Sequence, residues 1–90
     1  MMLSRIKRPQ IKRMLRMLDD EQKLTFFIYK RHESPILPKS TPLKVTIGRD
    51  GYEELNNAVE AKEYKGATFW INRDDIDRIH KPIVNRRYWK

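Results

Sequence analysis

Ninety residues with a formal net charge of +8 and 39% hydrophobic side chains describe one small domain, able to bury a core of its own but only a modest one. The chain has no cysteine, which excludes a disulfide framework and any thiolate metal site. No run approaches the roughly 18 apolar residues of a membrane-spanning helix, so no membrane role is assigned and a cytoplasmic location is the expectation.

Residues 1–18 (MMLSRIKRPQIKRMLRML) are basic and free of acid. They share that character with Arg-rich targeting peptides but contain a single serine, and are expected to be retained. From Pro9, a favourable first helical position, Ile11, Met14, Leu15 and Leu18 recur at helical spacing and form one apolar stripe. The spacing predicts an amphipathic helix over 9–18 with Lys12, Arg13 and Arg16 off the stripe. Asp19, Asp20 and Glu21 would be unfavourable at a helix C-terminus, so a turn is expected there.

Leu24 to Arg31 (LTFFIYKR) has large residues at both parities, as in a central strand covered on both faces. His32 to Pro42 holds three of the five prolines and two serines, which sustain neither a ladder nor a helix, and reads as an irregular loop. Leu43, Val45 and Ile47 then alternate with Lys44, Thr46 and Gly48, the period of a strand with one buried face. After a turn at 48–51, Asp50 is the expected cap of a helix over about 51–65. Glu53 would complete a capping box, and Gly66 would supply a left-handed stop. Ala67 to Asn72 (ATFWIN) is the next strand. Asn72 to Asp75 is a tight turn or one helical turn capped by Asn72, with Ile76 and Ile79 directed to the core. A return strand is expected beyond, limited to an edge by Pro82. The sum is a single α+β domain over 1–90 in the order α-β-β-α-β-β. It comprises a basic helix within 1–18, a mainly antiparallel sheet of three or four strands in a 24–84 core covered by a second helix, and a basic aromatic tail at 85–90.

Catalytic motifs find little support. The serines at 4, 34 and 40 lie in the N-terminal segment and the proline loop, with no strand-to-helix elbow and no triad. His80 with Asp74, Asp75 and Asp77 has donors for a divalent ion or for acid-base chemistry, yet a short acidic turn beside one histidine is more often solvated. Glu60 and Lys62 match Glu-x-Lys of metal-dependent nucleases in letters alone, because residues two apart on a helix diverge. The glycines at 48, 51 and 66 fit neither the P-loop nor the dinucleotide fingerprint. No enzyme activity, cofactor or metal is assigned.

Charge distribution is the more informative signal. Residues 1–18 carry Arg5, Lys7, Arg8, Lys12, Arg13 and Arg16 without an acid, and residues 78–90 carry Arg78, Lys81, Arg86, Arg87 and Lys90 without an acid. The stretch between holds nine bases and twelve acids. Clustered bases call for a counter-charge, and nucleic acid is the commonest. Arg86, Arg87, Tyr88 and Lys90, beside Trp89, add rings that stack on bases, although Trp89 also suits a plug against the core. Trp70 lies within a strand, where a core or interface position is the commoner use, and Tyr29, Phe69 and Trp70 are candidates to share one sheet face. The leading expectation is therefore a non-enzymatic nucleic-acid-binding accessory protein of low sequence specificity, of the style met in phages and mobile elements. It would bind DNA or RNA through Arg5, Lys7, Arg8, Lys12, Arg13 and Arg16 at one end and Arg86, Arg87, Tyr88 and Lys90 at the other. The competing expectation is a protein-binding module, an inhibitor or small subunit docking on an acidic partner surface, with self-association a further way to hold the basic ends. A small ribonuclease built on His80 with Arg86 or Arg87 is a distant third.

Overall fold

A computed structural model describes residues 2–36, 41–64 and 66–80. In chain order the elements are β1 (Leu3–Ile6), α1 (Arg8–Arg16), β2 (Lys23–Tyr29), β3 (Leu43–Gly48), α2 (Tyr52–Ala61), β4 (Thr68–Asn72) and α3 (Arg73–His80). The strands form one sheet in the order β1-β4-β2-β3, every neighbouring pair antiparallel. Strands two apart are therefore parallel, so α1 carries the chain from β1 to β2 and α2 carries it from β3 to β4, each across an intervening strand. Two interleaved split β-α-β units result.

The α+β class, the antiparallel sheet and the helical cover are as the sequence predicts, and β2 is internal as expected. One face of the sheet supplies Ile6, Leu24, Phe26, Ile28, Ile47, Phe69 and Ile71 to the core, against Ile11, Met14 and Leu15 of α1 and Leu55 and Val59 of α2. Ile11, Met14, Leu15 and Leu18, the stripe read from the sequence, are all buried. The turn expected at the acidic cluster is present, with the Gln22 N–H donating to the Asp19 carbonyl at 3.1 Å.

Four local expectations change. The basic segment opens with a strand: Leu3–Ile6 pairs with β4, placing Ser4 opposite Ile71 and Ile6 opposite Phe69. The helix then starts at Arg8, after Gln10 Oε1 accepts the Lys7 N–H at 2.7 Å. Asp50 does not cap α2. Gly51 holds that position without a side-chain bond, because the chain crosses so close to β3 that a Cβ there would stand 2.5 Å from Ile47 Cβ. At its other end α2 stops at Ala61, earlier than Gly66 implies. Glu63 takes the left-handed conformation with φ 55°, and the Tyr64 N–H reaches the Val59 carbonyl while the Glu63 N–H reaches that of Glu60. This is a Schellman termination with a glutamate at the position usually given to glycine. Finally, residues 73–80 form a helix in place of a hairpin-like return. Asn72 Oδ1 accepts the Asp74 N–H at 3.0 Å, which caps α3, and Ile79 is buried with Ile76 packed beside it. Over the described residues the element order is thus β-α-β-β-α-β-α. The strand expected after Pro82 and the tail lie outside the described residues.

Candidate nucleic-acid interface

Period 2 gives the sheet a second face. Opposite the core-facing positions stand Leu3 and Arg5 of β1, Thr68, Trp70 and Asn72 of β4, Lys23, Thr25, Phe27 and Tyr29 of β2, and Lys44 and Thr46 of β3. Phe27, Tyr29 and Trp70 are absent from the cluster that α1, α2 and α3 complete. The two central strands are rich in aromatic residues suited to a pleated surface, and because consecutive positions alternate, Phe26 and Phe69 enter the core while Phe27, Tyr29 and Trp70 fall on the outer face.

The register aligns four of these side chains. Arg5 pairs with Trp70, Trp70 with Phe27, and Phe27 with Lys44. The resulting row crosses every strand, with a cation at each edge and two rings between them. At a strand spacing of about 4.8 Å it is about 14 Å wide. Phe27 and Trp70 are half-buried, while Arg5 and Lys44 are exposed. Lys44 Nζ lies 6.0 Å from the Phe27 ring centre. The Trp70 indole N–H donates to Thr68 Oγ1 at 2.9 Å, and the Tyr29 ring meets Trp70 edge-on at 6.2 Å and 79°. These contacts fix the Trp70 ring orientation. In the next row Thr25 and Thr46 hydroxyls bond each other at 2.9 Å. Among the described residues, no acid occupies a strand position on this face.

A lysine on an exposed edge also has a structural use, since it discourages addition of a further strand. Arg5, on the opposite edge strand, serves the same use, but edge protection does not account for the two rings in register between them. Such a surface offers stacking to bases of any sequence and counter-charge to the backbone that links them.

Among the described residues, the sequence-predicted bases are divided between the two sides of the sheet. Arg5 lies on the outer sheet face, whereas Arg8, Lys12, Arg13 and Arg16 belong to the helical layer on the other side. Arg8 donates to Asn56 Oδ1 and its guanidinium sits 4.7 Å from the Phe69 ring centre; Lys12 Nζ sits 4.8 Å from that of Tyr52. The Asn56 and Tyr52 contacts join α1 to α2, and the Phe69 contact joins α1 to β4. Arg13 and Arg16 are exposed in the last turn of α1, where cations complement the helix dipole. Lys7 is exposed at the β1 to α1 junction. Arg86, Arg87, Tyr88 and Lys90 lie outside the described residues. Phe69 faces the core, so of the three rings named together only Tyr29 and Trp70 share the outer face, and Phe27 takes the third place. No local pattern singles out Phe27 and Lys44, because their alignment with Arg5 and Trp70 depends on strand order, which joins segments distant in sequence. Among the described residues no three His, Asp or Glu side chains gather as a metal site, and no helix is long and apolar enough to cross a membrane. Compared with known protein families, curated proteins and solved structures, the chain matches none.

Proposed function

We propose that this protein is a non-enzymatic, low-specificity binder of single-stranded nucleic acid, and that the strand lies across the outer sheet face. The observation that supports this reading is the row Arg5, Trp70, Phe27 and Lys44, in which two rings suited to stacking are bracketed by two cations with no acid between. A single strand is favoured over a duplex because the bases of a duplex are stacked on one another and unavailable to these rings. Low specificity follows from the same chemistry, since every base has a π-face. Arg86, Arg87, Tyr88 and Lys90 extend this reading at the level of sequence. The test is titration of a short unstructured oligonucleotide, DNA and RNA in parallel, against wild type and Phe27→Val. Stacking on Phe27 is worth about 1–3 kcal/mol, so affinity falls with little change in salt dependence. An unchanged affinity removes the sheet face from the interface.

A further inference from the structure

At the β1 edge the row opens into a concavity of about 520 Å³. Trp70 lines it together with Arg5, Arg31, His32, Glu33 and Gly66. Two loops build it. The chain leaving β2 turns at His32, in the left-handed conformation with φ 68°, and the chain entering β4 turns at Gly66, with φ 66°. Glycine is favoured at position 66 on two counts. Its φ disfavours any side chain, and a Cβ would lie 2.9 Å from Cδ of Arg31 and 3.3 Å from its Cβ. The stem of Arg31 therefore rests against the bare glycine backbone at the rim of the concavity.

We infer that this corner binds a terminal phosphate of the single strand whose neighbouring base stacks on Trp70, so that the protein reads a phosphorylated strand end. The inference rests on the proposed function and names the part of the ligand this corner takes. The volume falls in the range of small-ligand sites. The lining combines an aromatic residue with two arginines, the side chain best matched to phosphate by its forked donors. Glu33 sets one carboxylate against the two guanidiniums, so the corner remains net positive. An internal phosphate carries one charge, whereas a terminal one carries up to two and can accept from both arginines. The same row thereby gains a direction: bases lie on Trp70 and Phe27, the end sits beside Arg31, and the remainder leaves past Lys44.

The experiment is competition against a fluorescent single-stranded oligonucleotide at about 50 mM salt, where the electrostatic component is large. Three competitors of one short sequence are used, bearing a 5′-phosphate, a 3′-phosphate or neither. One phosphorylated form should compete about tenfold better than the unphosphorylated form, the scale of a charge-assisted contact. Arg31→Gln, on an exposed loop, should erase that gain and leave the unphosphorylated competitor within about twofold of its wild-type affinity. Lys44→Gln, at the far edge, should weaken all three alike. The inference is overturned if neither terminal phosphate improves competition, or if Arg31→Gln weakens the three competitors equally. It is also overturned if Lys44→Gln, and not Arg31→Gln, erases the gain. Failure of all three to bind overturns the broader reading as well, whereas binding of the unphosphorylated competitor with no phosphate gain removes the corner site alone.

Discussion

Glu63 holds a left-handed backbone, with φ 55°, that glycine adopts more cheaply. Gly66 has the expected left-handed backbone, but the helix stops at Ala61 and the left-handed stop falls on Glu63. A glutamate in that conformation costs about 1–2 kcal/mol, while glycine costs about 0.5–1 kcal/mol in lost chain entropy. Glu63→Gly is therefore expected to stabilise the domain by up to about 1 kcal/mol in a urea melt, and a loss of stability would contradict the Schellman geometry. Asp50→Ala should change stability by less than about 0.5 kcal/mol, because Gly51 and not Asp50 holds the cap. The outer face was half legible for a related reason. Neighbours in a strand point to opposite faces, so Phe69 and Trp70 separate on parity alone. By contrast, the alignment of Phe27 and Lys44 with Trp70 is set by pairing between distant segments, for which no local pattern exists.

At the scale of elements, the strands β2, β3 and β4 and the body of α1 follow from alternation and helical spacing, and the core prediction transfers directly. Phe26 and Ile47 are 0% and 1% exposed. Phe26→Ala should cost about 3–5 kcal/mol, enough to unfold most of a population of this size of domain. The ends were harder to read. Residues 3–6 are too few to display a period, and their bases merge with those of α1 into one apparent helix. Their structure comes from β4, to which they add a ladder that continues in the Arg73 N–H donating to the Met2 carbonyl at 2.9 Å. The assignment is checked by adjacent substitutions: Ile6→Ala should lower stability by about 2–4 kcal/mol, and Arg5→Ala by less than about 0.5 kcal/mol. Equal effects would argue against a strand with one buried face. In α3, Ile79 is buried and Arg78 donates to the Lys23 carbonyl at 3.3 Å while pairing with Asp75 at 3.2 Å. Ile79→Ala should destabilise by about 2–4 kcal/mol. The exposed ion pair contributes at most about 1 kcal/mol.

For the whole molecule, the sequence shows how much positive charge each end carries, and the fold decides which surface receives it. The basic N-terminal segment is divided by the turn between β1 and α1, so Arg5 joins the aromatic sheet face while Arg13 and Arg16 stand on the helical layer. A long polyanion can touch both layers, but an oligonucleotide short enough to fit the row touches one. Lys44→Gln should therefore reduce the log-log salt slope for a short oligonucleotide by about one unit, and the Arg13→Gln, Arg16→Gln double variant should leave it unchanged. The central claim is that the sheet face, rather than the basic helix, holds a single strand. It is tested most directly by the affinity of a short single-stranded oligonucleotide at about 50 mM salt for wild type, Trp70→Val and the Arg13→Gln, Arg16→Gln double variant, with melting curves to show that each is folded. Measurable wild-type binding is expected, with a loss of about 1–3 kcal/mol in Trp70→Val and wild-type affinity in the arginine variant. No wild-type binding, or a loss confined to the arginine variant, would contradict the claim.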